Sequence, residues 1–186
     1  MARTPIYFLD GKIIAESGDV RVYDFEGDVY LESGPGHVLW TISRELVAYE
    51  GQVARHPRGA CLEVGLGLGI CSNYILNCAG VEALTTIELN PDVVKVYKQL
   101  NDVDERHTII CGNGLDYIIQ TRETFDFMFF DFYIVIDEDT IDDLKAYVSA
   151  GRRILNEGGK IMAWWDEFTP DEFKDEFFNL FDGEGI

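Results

Sequence analysis

The sequence predicts an α/β fold, a doubly wound parallel sheet, with a small N-terminal β-hairpin region ahead of it. Three observations predict this. From Ala60 onward, short apolar runs alternate with amphipathic ones, the pattern of strands joined by helical crossovers. The first of those runs passes into Val64-Gly65-Leu66-Gly67-Leu68-Gly69, a glycine-rich turn that opens a helix. Before it, residues 1–36 are β-rich and punctuated by turn residues. The expected organisation is a hairpin region over 1–36 and an α/β ligand-binding domain over 37–186.

Composition narrows the function. The chain has 186 residues, with 15 Lys and Arg against 34 Asp and Glu, a formal net charge of −19, and 47% hydrophobic residues. That is length and apolar content enough for one soluble core without disulfide or metal staples. The apolar runs fall short of the roughly 18 residues a membrane span needs, and Met1-Ala2-Arg3-Thr4-Pro5 does not begin an export leader. The expectation is a cytoplasmic protein with no membrane partner. The negative field opposes a polyanion, so a phosphate-tracking nucleic-acid binder is excluded, while a cationic small-molecule substrate is compatible. Cys61, Cys71, Cys78 and Cys111 lack C-x-x-C spacing and lie in apolar segments, so they read as reduced core thiols and no metal site is expected.

In chain order, Ile6 to Leu9, an Asp10-Gly11 turn, Lys12 to Ile14, Val20 to Phe25 and Asp28 to Leu31 form the hairpin region. Ser33-Gly34-Pro35-Gly36 breaks it, and helically spaced apolar residues predict a helix from Val38 to Ala54. Strands are predicted at 60–64, 83–88, 107–111, 125–131 and 160–165, and helices at 69–78, 91–100, 115–120 and 139–155. Asn90-Pro91 supplies a cap and a proline at the first helical position, and Gly158-Gly159 is read as closing the fourth helix. For the last helix, Thr169 and Glu172 form a capping box around Pro170, with Phe168 and Phe173 as its staple and Phe173, Phe177 and Phe181 on the sheet. His37, His56 and His107 read as surface or turn residues, and at least one of Trp164 and Trp165 as core.

The candidate ligand residues sit at strand ends. Gly65, Gly67 and Gly69 allow a sharp turn and close approach of a ligand to backbone N–H groups. Glu88 ends the next strand, 23 positions after Gly65, where a carboxylate can accept both hydroxyls of a ribose. The dinucleotide pattern G-x-G-x-x-G would need glycine at Ile70, and no G-x-x-x-x-G-K-[ST] occurs, which sets NAD and ATP behind. Glu63, just before the loop, suits a cationic ligand group better than a pyrophosphate. Asp131, closing the fourth strand, should face the substrate side of the cleft and is the best acid/base candidate.

On these residues, the stretch from Ala60 to Trp165 resembles class I S-adenosylmethionine-dependent methyltransferases, which have a Rossmann-like domain. The resemblance implies strand order 3-2-1-4-5 and S-adenosylmethionine as cofactor. It places Glu63, Gly65, Gly67 and Gly69 at the methionine end, Glu88 on the ribose, and Asn113-Gly114-Leu115, with Asn113 where aspartate is common, at the adenine. Within that superfamily, Glu88-Leu89-Asn90-Pro91, the Gly112-Asn113-Gly114-Leu115-Asp116 loop and the helix ending at His56-Pro57 look most like the spermidine synthase branch, whose base matches Asp131. The branch's glycine loop reads G-G-G-D-G-G and its fourth strand D-x-x-D, whereas Leu68 and Ile134 occupy those acidic positions here; Ser43-Arg44-Glu45 replaces its Y-[HQ]-E. The expected activity is therefore methyl transfer to a small acceptor. Aminopropyl transfer from decarboxylated S-adenosylmethionine and a non-catalytic nucleoside-binding subunit are the alternatives. Such methyltransferases carry sixth and seventh strands for which little sequence follows the last helix, so the expectations are a minimal domain, a truncated one, or a homo-oligomer in which another subunit covers the sheet edge.

Overall fold

Alternation of apolar and polar residues between Lys12 and Ser33 builds an antiparallel sheet. The computed structural model describes residues 11–34, 38–41, 49, 53, 56–165 and 169–181. Strands β1 (Lys12–Ser17), β2 (Val20–Phe25), β3 (Asp28–Ser33) and β4 (Val38–Thr41) pair in sequential order. Glu26 and Gly27, both at positive φ (51° and 85°), make the tight β2–β3 hairpin whose twist suits this conformation. Ala15, Val20, Val22 and Leu31 are buried, leaving the intervening residues to solvent. The predicted strand Ile6 to Leu9 lies outside the described residues. The predicted helix from Val38 is corrected at its start: Val38–Thr41 is extended and pairs with β3, Tyr30 opposite Thr41 and Leu31 opposite Trp40. A four-residue apolar run fits either period, and here an open sheet edge decides. Tyr49 is helical; most of the remainder of that segment is outside the described residues.

The second sheet is parallel: β5 (Gly59–Val64), β6 (Val81–Glu88), β7 (His107–Cys111), β8 (Phe125–Phe130) and β9 (Leu155–Ala163), in spatial order β7-β6-β5-β8-β9. This is the order 3-2-1-4-5 expected. Helices α1 (Ile70–Leu76), α2 (Pro91–Leu100), α3 (Gly114–Gln120), α4 (Glu138–Gly151) and α5 (Asp171–Leu180) follow the strands in turn. The central strands are mostly apolar because both their faces are covered: Leu62 and Val64 on β5, and Phe127, Met128, Phe129 and Phe130 on β8, are buried. The small sheet rests on α2, where Ser17 Oγ donates to Asp92 Oδ1 at 2.7 Å and Gln99 Nε2 to the Glu16 carbonyl at 3.1 Å.

Local capping explains most boundaries. Asn90 Oδ1 accepts the Asp92 N–H at 2.9 Å with Pro91 at the first position of α2, as the sequence predicts. Asp137 Oδ1 does the same for Thr140 at the head of α4. Two predicted ends are corrected. Helix α4 stops at Gly151, and Gly158-Gly159 lies inside β9, where Leu155 pairs with Phe125 but Lys160 with Phe127, so the glycines accommodate a bulge. The capping box on α5 does not form: the Thr169 side chain is buried, its Oγ1 has no hydrogen-bond partner among the described residues, and Pro170 is the cap. Phe177 is buried, with Phe173 and Phe181 packed at the margin of the core. His107 is core rather than surface, and Cys111 is exposed rather than core. No helix among the described residues is long and apolar enough to cross a membrane.

Candidate functional site

The order of the parallel sheet reverses between β5 and β8, and the cleft lies beyond their carboxyl ends. Backbone geometry at this point requires glycine. Gly65, Gly67 and Gly69 have φ of 99°, 50° and 76°. A Cβ on Gly65 would lie 2.0 Å from the Asp131 carbonyl oxygen, and one on Gly69 2.1 Å from Tyr97 Cε2. The loop is thereby locked to β8 and α2; the Asp131 N–H donates to the Val64 carbonyl at 2.8 Å and the Gly65 N–H to the Ile87 carbonyl at 2.9 Å.

Glu88, at the end of β6, organises the same loop from the other side. Its Oε2 accepts the Leu66 N–H at 2.9 Å and its Oε1 the Asn90 N–H at 2.8 Å. A carboxylate has about four acceptor sites, so both oxygens retain capacity for hydroxyl donors in the cleft that Glu88 lines.

Asp131 is the second acid of the cleft. Its Oδ2 accepts a hydrogen bond from the Tyr49 hydroxyl, while Oδ1 is buried and has no partner among the described residues. Burial pushes this carboxyl up to about 7; the Tyr49 hydrogen bond pulls it down, and the Glu88 charge pushes it further up. Tyr49 is itself buried and meets Phe129 edge-on at 5.9 Å between centroids.

The cleft has a volume of about 190 Å³ and collects Gly65, Leu66, Gly67, Glu88 and Asp131, with Tyr133 and Ile134 beyond β8. Leu31 and Ser33 of β3 and Tyr49 also line it. Sequence reasoning missed these three. Nothing local marks them; only the packing of the small sheet against α2, and a contact spanning 82 positions for Tyr49, brings them in. No Lys, Arg or His is among the described residues lining the cleft.

Other predicted site residues stand outside the lining. Glu63 is fully buried: its Oε2 accepts from Ser72 Oγ of α1 and from Thr86 Oγ1 of β6 at 2.6 Å, and Thr86 Oγ1 lies 2.7 Å from His107 Nε2. Because the threonine hydrogen is committed to Glu63, His107 Nε2–H donates to Thr86. Burial raises Glu63 to about 7 and lowers His107 to about 4, so the histidine is neutral. Glu63 therefore braces α1 and β6 behind the loop. Asn113 Oδ1 accepts the Asp116 N–H at 3.0 Å and caps α3. A Cβ on Gly114 would come 2.5 Å from Val64 Cγ1, so this glycine lets α3 approach β5, and Leu115 packs on the core. The loop that carries them starts beside Glu88, whose carbonyl accepts the Gly112 N–H at 2.9 Å.

No protein-family model matches the sequence, and no curated protein matches it. Proteins of known structure do share its architecture. The spermidine synthase from Thermotoga maritima superposes with a TM-score of 0.68 at 17% identity, over 93% of this chain and 63% of that one. A spermidine synthase in complex with the transition-state analogue AdoDATO gives 0.65 at 17%, over 92% and 63%. A candidate methyltransferase complexed with S-adenosylhomocysteine gives 0.58 at 16%, over 89% and 47%. The chain thus has a class I methyltransferase-like fold, and it spans less than two thirds of the length of each of these three proteins.

Proposed function

We propose that this cleft binds S-adenosylmethionine and that the chain is a transferase moving its methyl group to a small acceptor. The observation that carries the reading is the convergence of Glu88 and Asp131 on a glycine loop with no cationic side chain among the described residues of the lining. Two carboxylates with no Lys or Arg suit a sulfonium nucleoside and repel a pyrophosphate. The unpartnered Asp131 Oδ1 fits the same ligand, because a buried acceptor without a donor is costly until something supplies one.

In this reading Glu88 holds the ribose hydroxyls, the backbone at Gly65 and Gly67 lies along the methionine portion, and Asp131 orients and deprotonates the acceptor. Bound S-adenosylmethionine supplies a methyl group already activated on a positive sulfur. What remains for the protein is alignment of the nucleophile and exclusion of water. Aminopropyl transfer has one observation in its favour, the fold shared with spermidine synthases. Against it, Leu68 is buried and outside the lining and Ile134 puts an aliphatic group in the cleft, where an aminopropyl amine and a diamine call for acids.

Calorimetric titration with S-adenosylmethionine, S-adenosylhomocysteine, decarboxylated S-adenosylmethionine and NAD tests the reading. Preference for the first two is expected. Preference for the decarboxylated form replaces methyl with aminopropyl transfer, and binding of none of them removes the enzyme reading.

A further inference from the structure

We infer that the acceptor is a neutral molecule with an apolar body and a single acidic O–H, of which phenols are the simplest, held at Asp131 Oδ1 with its body against Ile134. This rests on the cofactor reading above and goes beyond it to the substrate class. Three features of the cleft carry it. Among the described residues only Glu88 and Asp131 bring carboxylates to the lining, and the capacity Glu88 keeps beyond its two backbone N–H groups is assigned above to the ribose, so a second ammonium has no acid of its own. Asp131 has Oδ2 engaged by Tyr49 and Oδ1 buried with no donor among the described residues, and a single O–H supplies one.

The walls are the third feature. Leu31 and Tyr133 are buried, and the Tyr133 hydroxyl is taken by the Trp164 carbonyl, so that side chain presents its ring and not its oxygen. Ile134 lines the cleft while 50% exposed, and Leu89, also in the lining, is 70% exposed. Apolar surface left open at the mouth of a cleft is the kind that an apolar ligand covers. In the transfer the acceptor oxygen gives its proton to Asp131 Oδ1 and uses its own electron pair for the new O–CH3 bond. The electrons of the broken C–S bond stay on sulfur, leaving a neutral thioether.

The test is a binding experiment on protein saturated with S-adenosylhomocysteine, titrated separately with 4-ethylphenol and with 1,4-diaminobutane at pH 8. Saturable binding of the phenol and none of the diamine is expected. Asp131→Asn should weaken the phenol at least fivefold, and Ile134→Asp, at an exposed position that tolerates the change, should weaken the phenol and admit the diamine. Binding of the diamine to the wild type, or phenol affinity unchanged in Asp131→Asn, overturns the acceptor class while leaving the cofactor reading intact. If S-adenosylhomocysteine itself fails to bind, the cofactor reading falls and the acceptor class falls with it.

Discussion

Tyr49 donates its hydroxyl to Oδ2 of Asp131, joining a helical residue that precedes the parallel sheet to the end of its fourth strand in sequence. That single bond fixes which carboxylate oxygen faces a ligand and favours the charged form of an acid that burial has pushed up to about 7. Replacing Tyr49 by Phe removes the stabilising donor, so the Asp131 carboxyl should titrate at still higher pH. Fold stability should fall by about 1 kcal/mol, the usual net worth of a hydrogen bond. Carboxyl chemical shifts followed by NMR against pH in both proteins give the two midpoints; an unchanged or lower midpoint in Tyr49→Phe contradicts the role.

The pH dependence of stability has a definite sign. Burial raises Glu63 and Asp131 to about 7, above the usual carboxyl range, so the folded chain holds more protons than the unfolded chain from about pH 4 to 7. Their contribution is complete below that window and is lost as pH rises through about 7. His107, lowered to about 4, works in the opposite sense and loses its contribution as pH falls. Two groups outweigh one, and stability should decline between about pH 4 and 7. Glu63→Gln keeps an acceptor for Ser72 and Thr86 without the buried charge. The unfolding free energy of that variant, from urea titration, should exceed the wild-type value at pH 8 by an amount on the order of 1–3 kcal/mol, and match it near pH 4.

Much of the fold was legible because its signals are local. The range of α2 follows from Asn90-Pro91 and a helically spaced apolar stripe, and β7 from a short run ending at Cys111. The glycine loop and the two strand-end acids, Glu88 and Asp131, were legible because a parallel sheet places carboxyl ends together. The misreadings are those where tertiary contact decides. Val38–Thr41 could join a helix or a sheet edge; Gly158-Gly159 resembles a helix stop until β9 is seen to bulge against β8. Glu63 lies on a central strand covered on both faces, so period-two alternation cannot tell ligand from brace. Tyr49 was invisible because its partner lies on another element far along the chain.

Gly65 should be the least replaceable residue of the loop. Alanine there combines φ of 99° with a methyl 2.0 Å from the Asp131 carbonyl oxygen, so both the loop and the acid must move. A loss of roughly 2 kcal/mol or more and at least a hundredfold weaker cofactor binding are expected. Gly112→Ala is the control, since nothing lies within 4 Å of its added methyl. Thermal unfolding and titration of both variants check the contrast; equal behaviour contradicts it.

Cation binding beside a half-protonated acid should release protons. At pH 7 the Asp131 carboxyl, at about 7, sheds part of its proton when a sulfonium arrives. Titrations with S-adenosylmethionine in phosphate and in Tris should therefore differ in observed heat, and those with the uncharged-sulfur product S-adenosylhomocysteine should differ less. Asp131→Asn should abolish that distinction. Identical buffer dependence for both ligands contradicts the placement of the sulfur near Asp131.

The central claim, that the Glu88 end of the cleft holds the ribose of S-adenosylmethionine, is tested most directly by calorimetric titration of wild type and Glu88→Ala with that ligand. The account predicts one saturable site in the wild type and at least tenfold weaker binding in the variant. Because Glu88 also accepts the Leu66 and Asn90 N–H groups, the variant should remain folded at a cost of about 1–2 kcal/mol. Equal affinity in the two proteins, with both folded, would contradict it.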